Sequence, residues 1–315
     1  MEAIRRRLDR LSERCNQVLT VASVIGREFE LRLLERLQGD SSARSGQKQS
    51  GEEILEAVEE ALAARVIEEL PQAVGRFQFS HVLIQDTLAQ ELSAVRRARL
   101  HQRIAEALEE LYEDKTETRA SELEYHYAEA AAVTGTEKLV RYSLLAGERA
   151  LATYAHEEAL THFQRALEAK EGQPVDAETA VLLFGLGRAQ LATRERYQTQ
   201  EAVINLRRAF DYYAEVGDVD RAVAVAEYPV RATLGVTVGE AELIRRALAL
   251  VSPDSRQAGR LLSTYGLSLY QETGDYEGAQ EAFGRALDIA QREEDLALEI
   301  RTLANATDVD FHHLR

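Results

Sequence analysis

The chain of 315 residues has no tryptophan, one methionine, one cysteine and four prolines, and only 6% of it is aromatic. So little aromatic and turn-forming material argues against a β-sandwich or barrel. Ala, Leu, Glu and Arg recur throughout, and these are strong helix formers, so a nearly all-α fold is expected. Cys15 stands alone, which excludes an internal disulfide and fits a reducing compartment. Long apolar runs are missing as well: charges interrupt each one well short of the roughly 20 residues that a membrane span requires. The opening MEAIRRRLDRLSERCNQVL sets Asp9 and Glu13 among its basic residues and lacks the apolar stretch of a signal peptide. A cytoplasmic protein with no membrane partner is expected. Positive charge is also scarce, with 38 Lys and Arg against 54 Asp and Glu and a net charge of −16, so the average surface repels phosphate backbones. Nucleic acid is therefore not an expected partner. The one basic strip, Arg96, Arg97, Arg99 and Arg103, alternates with Ala94, Leu100 and Ile104 and reads as the solvated face of an amphipathic helix.

Ile4, Leu8 and Leu11, then Val18, Leu19, Ala22 and Val24, keep helical spacing as far as Gly26, a helix stop. Phe29, Leu31, Leu33, Leu34 and Leu37 predict a second helix, and the polar stretch GDSSARSGQKQSG after it predicts a loop. Ser50 and Glu53 have capping-box spacing before a third helix with Ile54, Leu55, Val58 and Leu62 on its apolar face. The period then changes to two. RVIEEL, PQAVG and RFQFS predict strand, turn and strand, with Phe77 and Phe79 alternating with Arg76 and Gln78. Three helices followed by a hairpin is the layout of a winged helix. A long helix from Val95 to Tyr112 closes this winged-helix-like regulatory module, assigned to residues 1–114.

Past Lys115 the helices become self-similar. HEEALTHFQRALE sets Ala159, Phe163 and Ala166 in an order that GDYEGAQEAFGRALDIA repeats as Ala279, Phe283 and Ala286. EAVINLRRAF supplies Ala202, Leu206 and Ala209, and EAELIRRALAL a weaker copy through Ile244 and Ala247. Small residues at such positions let paired helices approach, and the larger one fills the groove between them. Gly147, Gly187 and Gly274 fit the preceding helices of each pair. The repeat spacing, about 38 to 43 residues, exceeds the tetratricopeptide length of about 34, and longer loops or helices would absorb the difference. The expected fold is mainly α, the winged-helix-like module being followed over 115–315 by an α-solenoid of tetratricopeptide-like helix pairs. The stretch LALEIRTLANATDVDFHHLR reads as the first helix of a further repeat, so this superhelix is expected to be truncated at its C-terminal end.

SVIGREFE, RFQFSHVLIQDTLAQELSAVRRARLHQRIAEALE and ERALATYAHEEALTHFQRALE together resemble the region that follows the ATPase core in bacterial signal-transduction ATPases with numerous domains. The resemblance implies an ATP- or ADP-binding core elsewhere in a parent protein and a tetratricopeptide sensor. It also implies an output domain of the LuxR-type, cyclase or kinase class. This chain contains no G-x-x-x-x-G-K-[ST] loop, so no cofactor is expected to be held by it alone. In that family and its plant and animal relatives, a histidine opening a Met-His-Asp segment contacts the β-phosphate of ADP and holds the ATPase closed. His81 in FSHVLIQD stands at the matching strand-to-helix transition, with Val82 where relatives often carry Asp. Its plain alternative is a helix-start histidine bonded to local backbone.

Other polar residues carry less. His101, His126, His156 and His162 lie on different expected helices without metal-ligand spacing, and no metal is expected. ELEYHYAEA, with Glu124, His126 and Glu129, reads as a packing helix whose Leu123 and Tyr127 face inward, and His312 with His313 as a frayed end. No nucleophile, base and oxyanion-donor set can be assembled, so an enzyme is not expected. The concave groove of the first helices is expected to bind a protein or peptide partner, or a small inducer, through exposed Glu148, Arg188, Thr264, Ser268 and Gln271. Two readings follow: a regulatory and sensor region acting on the ATPase core of its parent, or a freestanding tetratricopeptide scaffold with a DNA- or protein-binding winged helix.

Overall fold

A computed structural model describes residues 6–45, 51–71, 73–193, 199–230, 236 and 238–314. The described chain is mainly helical, with one small sheet. None of its helices is long and apolar enough to cross a membrane.

Helix α1, Glu13–Ile25, starts where the Ser12 hydroxyl accepts the Cys15 N–H at 3.0 Å and ends at Gly26, whose φ of +154° suits a residue without a side chain. Strand β1, Glu28–Glu30, follows, then α2, Leu31–Ser45, and α3, Gly51–Ala63. Strands β2, Ile67–Glu69, and β3, Arg76–Phe79, form the expected hairpin. The sheet has a third member, however. Its order is β1-β3-β2, all antiparallel, with Glu28 opposite Gln78 and Ile67 opposite Phe79. Phe29 is therefore a strand residue rather than the start of a helix, and its ring packs 5.9 Å from that of Phe77 and 5.5 Å from that of Phe79. Three residues are too few to display a period, so only cross-strand pairing identifies this strand. The predicted loop is also revised: α2 continues through Gly39–Ser45, and the remainder of that stretch from 46 to 50 lies outside the described residues. The Ser50 half of the predicted capping box lies outside the described residues.

Helices α4, Val82–Gln90, and α5, Ala94–Leu111, come next, then a 3₁₀ segment, Glu113–Arg119, and helices α6, Ala120–Thr134, and α7, Glu137–Ala152. Leu100, Ile104 and Leu108 of α5 and Leu123, Tyr127 and Ala130 of α6 are buried, and these two helices pack along their lengths. Glu109 ties in α7 by accepting from Tyr127 at 2.8 Å and Tyr142 at 2.7 Å, with Lys138 at 2.5 Å. Desolvation pushes the Glu109 carboxyl up, but its bonds from Lys138, Tyr142 and Tyr127 win and hold it below the usual range. The backbone accordingly divides into the compact units Met1–Ser143 and Leu144–Arg315, within α7 and later than the change of periodicity near 114.

The second unit contains α8, His156–Ala169; α9, Ala177–Thr193; α10, Gln200–Glu215; α11, Val219–Ala226; α12, Glu240–Leu248; α13, Arg256–Thr273; α14, Tyr276–Arg292; and α15, Leu296–His313. Every position of the sequence repeat is buried, including Ala159, Phe163 and Ala166 on α8 and Ala279, Phe283 and Ala286 on α14. Glycine makes the close approach possible. A Cβ at Gly147 would stand 2.7 Å from the Phe163 ring, one at Gly185 2.5 Å from it, and one at Gly266 2.6 Å from that of Phe283. The C-terminal histidines are not frayed: His313 stacks on Tyr276 with ring centroids 3.9 Å apart, and His312 Nδ1 lies 2.8 Å from Asp308 O.

Candidate functional site

His81 is exposed at the junction of β3 and α4 and is the N-cap of α4. Its Nδ1 accepts the Leu83 N–H at 3.1 Å. That bond is the local backbone contact expected of a helix-start histidine, and it also has a chemical consequence. An imidazole whose Nδ1 accepts carries its proton on Nε2, so the capping bond leaves an exposed side chain with a defined second donor. Ser80, beside it, bonds back to the Arg65 and Val66 carbonyls at 2.9 and 3.0 Å, which anchors the turn.

The residues expected on the first helices of the repeats differ in their surroundings. Glu148 on α7 and Arg188 on α9 pair at 3.2 Å, so each is partly engaged by the other. Thr264 is half-buried and bonds to Arg260 O, and Gln271 is half-buried. Ser268 corrects the expectation: it is 1% exposed, donates to Thr264 O at 3.1 Å and shares a hydrogen bond with Glu240, because α12 packs over this part of α13. No described hydrogen bond or ion pair joins the α13 residues to the Glu148–Arg188 pair.

Residues that the sequence reading did not single out extend that pair. The Arg188 guanidinium lies 5.3 Å above the Phe184 ring, Phe184 meets Tyr228 edge-on at 5.9 Å, and Glu227 accepts from Arg260 Nε on α13 at 2.8 Å. Charged and aromatic side chains thus link α7, α9, the end of α11 and α13. Opposite charges one repeat apart, as in Glu148 and Arg188, were the available signal. On the second helices of the pairs, a groove of about 450 Å³ opens between α8 and α10. Leu183 and Leu186 of α9 line it, with Gln164, Glu168, Asn205 and Arg208.

Two buried acid–base clusters lie elsewhere. In the first unit, two of the histidines read as lying on different helices without metal-ligand spacing meet across those helices. His101 and His126, brought together by the packing of α5 on α6, place their Nδ1 atoms 2.9 Å apart, and both are buried. Burial pushes His101 down to about 4, helped by nearby Arg97, and pushes His126 down to about 3, helped by His101. Next to them, buried Glu124 accepts from Ser143 at 2.8 Å. Among the described residues no group of three or more His, Cys, Asp or Glu could hold a metal ion.

In the second unit, one carboxylate oxygen of Glu272 accepts the N–H groups of Val238, Gly239 and Glu240 at 3.1, 2.8 and 2.9 Å, capping α12 from α13. Glu240 is itself 2% exposed, and burial pushes its carboxyl up to about 8 against hydrogen bonds from Ser268 and Val230. Its folded value lies above the unfolded one, so its contribution is complete below about pH 4.5 and is lost as pH rises through about 8. Glu240→Gln should remove that falling limb and stabilise the second unit at pH 8 by about 1–3 kcal/mol. Urea unfolding at pH 5 and pH 8 checks this; equal pH slopes for variant and wild type would refute it.

In comparisons with known proteins, no protein-family model matches this chain and no curated protein matches it.

Proposed function

We propose that the chain is the non-catalytic regulatory and sensor region of a signalling ATPase. In this reading residues 1–114 form a winged helix that controls the ADP-bound closed state, and the helix pairs of 115–315 form a tetratricopeptide array that binds a protein partner or inducer. Supporting the first part is the order α1-β1-α2-α3-β2-β3, with the β2–β3 hairpin as the wing. Supporting the second are the buried Ala-Phe-Ala positions, with glycines on the facing helices. The face linking Glu148, Arg188, Phe184, Tyr228, Glu227 and Arg260 is where the array would read its partner, with Arg and aromatic side chains that suit such contacts.

The observation that carries the reading is the capping bond at His81. It uses Nδ1 and leaves the Nε2 proton for an external acceptor such as a phosphate oxygen. A hydrogen bond made only in the closed state shifts the equilibrium by its differential energy, about 1.5–3 kcal/mol for a charged acceptor. In the chain joined to its ATPase core, His81→Ala should weaken ADP about 10- to 150-fold. His81→Asn separates the two roles, since asparagine can cap the helix but is too short to replace Nε2. Calorimetry with ADP is the measurement: wild-type affinity in the Asn variant would reduce His81 to a cap. The chain without the core should bind ADP weakly or not at all, whatever stands at 81.

A further inference from the structure

The groove between α8 and α10 combines an apolar floor with opposite charges that do not meet. Leu183 and Leu186 of α9 lie buried beneath it, and Leu167 of α8 is half-buried at its side. Glu168 stands on the α8 wall and Arg208 on the α10 wall, both exposed, and among the described residues neither side chain has an ion pair or hydrogen bond. Between α10 and α12, the next two second helices, the space is closed instead: Arg246 pairs with Asp211 at 2.7 Å and lies 5.0 Å over the Phe210 ring. Between α8 and α10 about 450 Å³ stays open, a volume in the range of small-molecule sites.

A third polar group lines the α10 wall. One turn before Arg208 and on the same face, Asn205 is 7% exposed. Its Nδ2 donates to Oε1 of buried Gln190 at 2.9 Å, while its Oδ1 accepts no described hydrogen bond. Buried polar atoms are ordinarily partnered, so this carbonyl is an acceptor held in place for an N–H that comes from outside. Lys170 has no charge to spare, since it donates to Asp176 at 2.8 Å and Glu178 at 2.9 Å. Glu171, exposed at the rim, adds a second carboxylate beside Glu168. An anion alone would therefore meet Arg208 against these carboxylates, and a cation alone would leave Arg208 unanswered.

We propose that this groove binds a dipeptide with apolar side chains and both termini free. Its ammonium pairs with Glu168, its carboxylate with Arg208, and its peptide N–H donates to Asn205 Oδ1, while its side chains cover Leu183 and Leu186. The site shares no residue with the face of Glu148 and Arg188 and does not depend on the signalling role proposed above.

Calorimetry of this chain at pH 7 tests it with three probes: leucyl-leucine, N-acetyl-leucyl-leucine, which lacks the ammonium, and leucyl-leucinamide, which lacks the carboxylate. Wild type should bind leucyl-leucine saturably and each blocked form about tenfold or more weakly, because each loses one charge-assisted pair. Glu168→Gln should remove the advantage of the free ammonium and keep that of the carboxylate, and Arg208→Gln should do the reverse. Both substitutions are at exposed positions, and an unchanged melting temperature without ligand would show that the fold is intact. No saturable binding of leucyl-leucine at millimolar concentrations would overturn the proposal. Equal binding of the three probes, or a terminal preference that survives the loss of its own partner, would overturn it equally.

Discussion

Lowering the pH from neutral to 4 should loosen the first unit, residues 1–143, before the second. The cause is the His101–His126 pair, whose Nδ1 atoms are 2.9 Å apart in a buried setting. One ring donates and the other accepts, so the accepting ring must be neutral and the contact is lost when both are protonated. A proton added to either is desolvated, and His101 would face it beside Arg97, its other charged influence. Tyr125, packed edge-on against both rings, can offer a phenol but not a countercharge at this pH, since burial raises it further. Values of about 4 and about 3 lie below the ordinary 6.5, so between these limits the unfolded chain binds more protons than the folded one. The stability due to the pair is complete above pH 6.5 and is lost as pH falls through the folded values. At about 1.4 kcal/mol per pKa unit the loss reaches a few kcal/mol. Glu240 works in the opposite direction in the second unit, gaining as pH falls from 8 to 4.5. Hydrogen exchange at pH 7 and pH 4 should therefore show α5 and α6 opening first. His101→Leu with His126→Leu, which removes both polar partners together, should flatten this dependence. An acid response unchanged in the double variant would show that the pair is not its source.

Phe163→Ala should destabilise the second unit by about 3–5 kcal/mol, the range for emptying a packed aromatic site. The ring is fully buried and fills the space left by two glycines on neighbouring helices, Gly147 of α7 and Gly185 of α9. Gly185→Ala should destabilise as well, since its Cβ would stand 2.5 Å from Phe163 Cζ. The two effects should not add. With the ring gone the new methyl has room, so Gly185→Ala should cost much less in the Phe163→Ala background than alone. Urea melts of the four proteins close the cycle; additive losses would mean that ring and glycine are not a unit.

Much of the secondary structure was legible because its signals are local. The Ala-Phe-Ala spacing identified faces that are all buried, and the alternation of Phe77 and Phe79 with polar residues located the hairpin. His81 at a helix start was legible for the same reason: the bond it makes is to a residue two places away. The Glu148–Arg188 contact was not. Each was recognised as a first-helix residue, but only the packing of α7 and α9 side by side makes them partners.

By itself the sequence determined a mainly helical chain with a short hairpin and a repeated set of small and aromatic core positions, because periodicity and turn chemistry act over a few residues. Tertiary structure decided which of those faces meet. It drew Phe29 into the sheet as a strand, set His101 against His126 and buried Ser268 beneath α12. Each of these depends on residues far apart in the chain, where the energy of a contact depends on what is packed around it, and no local pattern of residues carries that information.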